Sequence, residues 1–450
     1  MRCVRNTICI CLLSFAILPE VWAGPHASVR SGPMVGYGEM KEVMLWVQTT
    51  GSAKVQYQYW IEGEKNNKWL TEKQAVGAST EFTAHTVIHS LPEGKRFEYE
   101  ILLDGKVFQR PYPLHFQTQS YWQWRKDPPP FTVAIGSCAY VNDTPDDRPG
   151  TPYGTDYEIF TALAAQKPDL MIWLGDNCYY REDDWTSVSR MIYRNAHTRA
   201  LPQMQPLLGA THNYAIWDDH DFGPNDSDRR FPLRTESLEV FKLFWANHHY
   251  GTEETRGVFQ KFEWNDIEFF LLDDRYHRSP NKMPNTEEKE MFGKEQLRWL
   301  RESLISSYAP FKIIVGGNQM LVSHKDETFA NFPHEQQELL RWIKENRIPG
   351  VLFLSGDRHF AQLNCLNDTS LYPLYDFTSS SLTAGLSTHI KEEDSPLRIP
   401  GTFVNDAHNF GLLRFDGPRK DRKLTMECYD KNGKLRWSHI IKASELKPKE

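Results

Sequence analysis

Four apolar runs in this chain each end in a short group of acidic and imidazole side chains, and those groups are where chemistry could be done. Met171-Ile-Trp-Leu-Gly leads into Asp176, with Tyr179 three positions on, and Ala215-Ile-Trp leads into Asp218, Asp219, His220 and Asp221. Phe269-Phe-Leu-Leu leads into Asp273, Asp274 and Arg275, and Val351-Leu-Phe-Leu-Ser-Gly into Asp357, Arg358 and His359. Short apolar runs bounded by turn residues are the pattern of buried strands. In an open α/β sheet the ligand crevice lies outside the carboxyl ends of the strands. Hard oxygen donors and imidazoles gathered there suit cations, so the expected chemistry is that of a metal-dependent hydrolase.

Each group also has an ordinary explanation. Asp176 could be a carboxylate shared between two cations, with the Tyr179 phenol a further ligand to a ferric ion, or it could be a turn aspartate capping a helix. Asp357 and His359 are separated by one residue, so both could face one side of the chain and clamp a cation. The alternative for His359 is a hydrogen-bonded core group. Asp219, His220 and Asp221 need compensation at the end of an apolar strand, since a buried, uncompensated charge costs on the order of several kcal/mol. Cations would supply it, and His220 could instead serve as a general acid. Asn225 offers a neutral oxygen or completes the turn after Gly223-Pro224. Asp273 is a further oxygen donor at a strand end. Arg275 could hold phosphoryl oxygens bidentately or pair with Asp273. Cys138, after Gly136-Ser137, could be a thiolate ligand, a disulfide partner or a small buried hydrophobe.

Positioning such groups requires strands and helices in a definite order. A chain of 450 residues exceeds one ordinary core, which predicts two domains. Residues 24–120 read as a small antiparallel β-sandwich of immunoglobulin or fibronectin type. There Val43, Leu45 and Val47 oppose Met44 and Trp46, period two continues in Val55, Tyr57 and Tyr59, and Asp104-Gly105 makes a hairpin turn. Residues 121–130, ending in three prolines, form a stiff linker. Across 131–441 strands alternate with helical stripes such as Ile159, Phe160 and Leu163, or Leu297, Leu300 and Leu304. This predicts an α/β domain built on a largely parallel sheet. Its late runs, Leu412 to Phe415, Leu424 to Tyr429 and Leu435 to Ile441, are expected as hairpins of a second sheet. Residues 442–450 are expected as a frayed polar tail.

Composition limits the partners. Arg2 and Arg5, the apolar stretch Ile8 to Leu18 and Val21-Trp22-Ala23 before Gly24 predict a signal peptide over 1–23 and a secreted or periplasmic mature chain. Arg2 and Arg5 are not adjacent, so a twin-arginine route is unsupported. No later run reaches the ~20 apolar residues of a membrane helix. Loss of Arg2, Arg5 and Glu20 moves the formal charge from −7 to −8, which gives no basis for nucleic-acid binding. Of seven cysteines, Cys138, Cys178, Cys365 and Cys428 remain after the leader. In an oxidising compartment Cys365 and Cys428 are a candidate disulfide pair.

Taken together, Gly136-Ser137-Cys138, Gly175-Asp176-x-x-Tyr179, Trp217-Asp218-Asp219-His220-Asp221 with Asn225, Leu272-Asp273-x-Arg275-Tyr276 and Ser355-Gly356-Asp357-Arg358-His359 resemble the ordered motifs of PhoD-type alkaline phosphatases. That family is a branch of the metallophosphatases. The resemblance implies a four-layer α/β/β/α sandwich preceded by the small β-sandwich, and an exported phosphoesterase that hydrolyses phosphate esters with a metal-activated hydroxide. It also implies a multinuclear centre of ferric iron and calcium, although zinc, manganese or magnesium would suit the same oxygen donors. By position, Cys138 and Tyr179 would bind iron, Asp176 would bridge, and Asp357 and His359 would complete the metal shell. Other metallophosphatases carry Asn-His where this chain has Asp219-His220, which leaves either Asp219 or Asn225 for the asparagine role. Three rival readings are a phosphodiesterase or phospholipase-D-like enzyme on the same centre, a serine hydrolase using Ser379-Ser380-Ser381 and His408, and a non-enzymatic cell-surface binding protein.

Overall fold

Runs rich in β-branched and aromatic residues assemble into three sheets in the computed structural model, which describes residues 27–324, 327–368, 370–391 and 395–448. The expected leader, 1–23, lies outside the described residues. The largest sheet has nine strands in the order Leu435–Lys442, Lys423–Asp430, Asn409–Asp416, Phe131–Gly136, Leu170–Leu174, His212–Ile216, Val29–Gly38, Val43–Thr49 and Thr83–Ile88. At its centre the strands from Phe131, Leu170 and His212 run parallel, with Ile135 beside Ile172 and Ile172 beside Tyr214. The second sheet has six strands in the order Gln260–Trp264, Ile267–Leu271, Lys312–Val315, Val351–Ser355, Leu374–Thr378 and Gln362–Leu366.

These two sheets share one hydrophobic core. Tyr214 of the first stacks on Phe262 of the second with ring centroids 3.7 Å apart, and Trp437 meets Phe377 at 4.8 Å. Helices cover the outsides. Phe160 of Glu158–Ala165 and Trp245, just past Arg234–Phe244, both approach Trp173 of the first sheet. Lys294–Ser306 and Pro333–Glu345 bury Leu297, Leu300, Leu304, Leu339 and Ile343. The arrangement is the expected four-layer α/β/β/α sandwich.

In place of one largely parallel sheet there are two mixed ones. The late hairpins extend the first sheet, because Asn409–Asp416 pairs antiparallel with Phe131–Gly136, Ile135 lying opposite Gly411. The hairpin pattern shows that strands pair with each other but not which open edge they join. The segment expected as a frayed tail contains a short 3₁₀ turn, Ala443–Leu446, with Leu446 buried and its carbonyl accepting from the Gly350 N–H. All four described cysteines are free thiols. Cys365 and Cys428, expected as a pair, sit on strands of different sheets.

The N-terminal strands divide between two sheets. Ala53–Ile61 and Arg96–Leu103 form the heart of a separate small sheet, with the Asp104-Gly105 turn at φ 50° and 82° as a tight hairpin requires. Val29–Gly38 instead pairs parallel with His212–Ile216 at Val35 and His212, so this layer continues the main sheet. Strand alternation then serves two cores. Val43, Leu45 and Val47 pack with Tyr57, Phe97 and Phe116, while Met34 and Trp46 enter the main core.

Trp46 is fully buried and its indole N–H donates to the Leu243 carbonyl at 2.9 Å. Trp46→Ala should therefore cost about 3–5 kcal/mol. Denaturant unfolding followed through the N-terminal and main parts should show one shifted transition. Two separate transitions would mean that the shared sheet does not couple them.

Candidate metal centre

Neighbouring strands bring the chemical residues together because the backbone turns sharply at the carboxyl end of each strand. Cys138, Asp176, Asp357 and His359 all have left-handed backbones, at φ 61°, 53°, 65° and 58°. Such conformations cost ~1–3 kcal/mol each for ordinary residues and persist where the surroundings over-determine them. Gly175 makes one of these turns possible, since a Cβ there would lie 2.6 Å from the Asp218 Cβ. Its φ of 92° also favours glycine.

Asp176 is the common member of three overlapping donor groups whose ligand atoms lie within 4.8 Å of one another: Cys138, Asp176 and His359; Asp176, Asp219 and His220; and Asp176, Asp218, Asp219 and Asp357. The Asp176 carboxylate accepts the His220 backbone N–H at 3.1 Å and the Tyr179 hydroxyl at 3.2 Å. Tyr179 also reaches His359 Nε2 at 3.3 Å and stacks on the His220 ring at 4.3 Å. The Cys138 sulfur lies 3.5 Å from Asp176 and 3.1 Å from the Ser380 hydroxyl.

The electrostatics are those of acids without enough positive charge. Burial, then Asp219 and Cys138, push Asp176 well above the usual carboxylate range. Burial lifts Asp357 to about 6, against the pull of Arg358. Burial opposes ionisation of Asp219 too, but His220, Arg275 and the Asp226 N–H hold it below the usual range. Burial lowers both His220 and His359, leaving imidazole lone pairs available. Among the described residues, Asp219 Oδ1 and Asp357 Oδ2 are buried without a hydrogen-bond partner. Carboxylate oxygens without a hydrogen bond, Asp357 Oδ2 having only a 3.6 Å ion pair with Arg358, beside imidazoles, a thiol and a phenol are a donor set that fits cations.

Other expected site residues stand apart. Asp273 accepts from the Trp217 indole and the Arg275, Tyr276 and Val258 backbone N–H groups, at 2.8–2.9 Å, so its oxygens are spent on the fold. It joins none of the donor groups. Arg275 is fully buried and bound to Asp218 at 2.5 Å and Glu327 at 2.8 Å, which removes it from phosphoryl binding and makes it a counter-charge. Asn225 is exposed, donates to Asp226 at 2.8 Å and lines the rim of the cleft beside the cluster. Asp221, although central in sequence, accepts the N–H groups of Asp176, Asn177 and Asp218 and holds the two turns together.

Two participants lacked a clear sequence signal. Asp218 is in the largest donor group, but it looked like one acid among three. Asn318 donates to Asp218 at 3.2 Å from its amide and to Asp274 at 3.0 Å from its backbone. The run Ile313-Ile-Val-Gly-Gly before it follows the same strand-to-glycine pattern and could have revealed it. Beside the cluster opens a cleft of about 350 Å³ lined by Tyr140, Tyr153, Tyr179, Arg181, Trp185 and His220, among others. The serine cluster and His408 do not form a triad here, as Ser380 donates to Cys138 and Ser381 to the Ala384 carbonyl.

Comparison with known proteins gives two family matches, to PhoD-like phosphatase over residues 133–417 and to a domain of unknown function, DUF7800, over 26–121. Alkaline phosphatase D of Bacillus subtilis (strain 168) is 22% identical over 293 residues, 53% of this chain and 50% of that protein. The match thus spans half the length of that relative. A solved structure of PhoD superposes with a TM-score of 0.72 at 17% identity, covering 90% of each chain. A purple acid phosphatase, PPD1, from yellow lupin seeds superposes at 0.66 with 12% identity, covering 91% of this chain and 74% of that one. These likenesses bear on the fold.

The raised Asp357 has a definite consequence for stability. A folded-state value of about 6, above the ordinary ~3.9 of a free aspartate, means that its contribution is fully present below ~3.9 and is lost as pH rises through the folded value. Chelator-treated protein should therefore melt at lower temperature as pH rises from about 4 to about 6, and added cation should restore it. Asp357→Asn should flatten both responses in paired thermal melts.

Proposed function

Because this chain belongs to the PhoD-like phosphatase family, we propose that it is a metal-dependent phosphoesterase acting on small phosphate esters, alkaline phosphatase-like in its chemistry. The observation that supports this most directly is Asp176, shared by three donor groups at the edge of an open cleft. Cys138 and Tyr179 would hold ferric iron, Asp176 would bridge, and Asp219, Asp357 and His359 would complete a centre that also takes calcium. When bound, the cations would supply Lewis acidity and an acidified water. Asp218, fixed by Arg275 and Asn318, keeps its neighbour Asp219 in register. Export of the mature chain belongs with this reading, and no helix among the described residues is long and apolar enough to cross a membrane.

His220 lines the cleft and stacks on Tyr179, where it would hand a proton to the departing alkoxide. Burial lowers the pKa of His220 below the ordinary imidazole value, and Asp219 opposes that by favouring the protonated form.

Metal analysis of the purified protein beside phosphate release from mono- and diesters tests the reading. Bound iron with a visible phenolate band, lost or shifted in Tyr179→Phe, is the expected result. A colourless preparation equally active with zinc alone and indifferent to that substitution would remove the ferric assignment. Absence of phosphate release from every ester would remove the phosphoesterase assignment.

His220→Asn should lower kcat for alkyl phosphates by about 10²–10⁴-fold, and far less for nitrophenyl phosphate, whose leaving group needs no proton. Equal losses would assign His220 to metal binding.

A further inference from the structure

With Arg275 withdrawn into the fold, the cleft still contains a guanidinium that no carboxylate among the described residues pairs with. Arg181 is only 8% exposed and lines the cleft with Tyr179 and His220. Its Nε donates to the Tyr140 hydroxyl at 3.0 Å, and its guanidinium carbon lies 4.6 Å from the Tyr140 ring centroid. The surrounding carboxylates are all engaged elsewhere. Asp184 accepts the Arg181 backbone N–H at 2.7 Å, but its side-chain ion pairs are with Arg190 and Arg194. Arg194 also binds Asp143 and Asp146, at 3.2 and 3.0 Å. Asp147 accepts from the Tyr140 hydroxyl at 2.5 Å, and Glu182 pairs with Arg148 at 2.9 Å. Among the described residues, Arg181 has no ion-pair partner and its terminal nitrogens have no acceptor.

A charge so deeply buried without a counter-ion is costly, and the cleft is the direction from which an anion can reach it. We propose that Arg181 binds an oxyanion of the substrate: phosphoryl oxygens, either of the reacting group or of a second phosphate on the same ester. The planar, five-donor fork of arginine suits such oxygens. Tyr140 orients that fork through one hydrogen bond and its ring face, and the Arg194 network keeps competing carboxylates occupied. The substrate class is thus a small, strongly anionic ester, and Arg181 takes the binding role that the sequence suggested for Arg275. This inference rests on the phosphoesterase reading for the identity of the anion.

Arg181→Met and Arg181→Lys in the metal-loaded full chain provide the test, with metal content and melting temperature measured alongside. Methionine should raise KM by about 10- to 100-fold, the range of charged hydrogen bonds, with metal content unchanged and lysine intermediate. A rise for both nitrophenyl phosphate and a sugar bisphosphate, matched by weaker inhibition by inorganic phosphate, places Arg181 on the reacting group. A rise confined to the bisphosphate places it on a second phosphate. Unchanged KM for both esters, with unchanged phosphate inhibition, overturns the proposal. If methionine prevents folding, the lysine variant carries the same comparison. If the wild type hydrolyses no ester, calorimetric binding of inorganic phosphate and the bisphosphate still decides the role of Arg181, whereas the phosphoesterase reading alone has failed.

Discussion

Carboxylates crowded into a buried space repel one another and lose their hydration, and the centre of this molecule is organised around that constraint. Asp176, Asp218, Asp219 and Asp357 place ligand atoms within 4.8 Å of each other. The protein supplies some positive charge from behind. Arg275 binds Asp218 and, with Arg278, also binds Glu327. This compensation is incomplete, because Asp176 and Asp357 remain raised and, among the described residues, two carboxylate oxygens accept no hydrogen bond. The remaining deficit is what cations would fill.

Holding such a cluster demands rigid support. The turns that carry Cys138, Asp176, Asp357 and His359 use left-handed backbone, which only surrounding bonds can maintain. Asp221 ties the Asp176 turn to the Asp218 turn, and Asp273 ties four donors of its own neighbourhood. Both are aspartates in sequence positions that suggest catalysis, yet their oxygens are fully used in construction. A carboxylate accepting several N–H groups stabilises a loop, and Asp221 and Asp273, unlike Asp176 and Asp219, join none of the donor groups.

The same division appears at the cleft. Acidic residues 143, 146 and 184 gather around Arg194 and anchor the segment that borders the opening. Among the described residues no carboxylate pairs with Arg181, a few residues from this network. Binding groups and supporting groups are therefore distinguished here by which charges are already satisfied, not by residue type.

Much was legible in the sequence, since apolar runs ending in Gly-Asp or in clustered acids are local features. They were sufficient to recognise strand ends, the turn at Asp104-Gly105 and the helical stripes, and to place Asp176, Asp219, His220, Asp357 and His359 at strand ends, whereas the ligand reading of Cys138 came from the family resemblance. Local pattern also explains why Trp46 and Val47 face opposite cores. What only the tertiary structure decided depends on contacts between segments distant in the chain. Sheet edges are chosen by long-range pairing, so the strand at Asn409 joined Phe131 and the strand at Val29 joined His212. Arg275 and Arg181 are the same residue type near similar turns, but Asp218 and Glu327 neutralise one of them and no described carboxylate neutralises the other. A side chain's role in this site follows from its partners, and those partners are set by folding rather than by spacing along the chain.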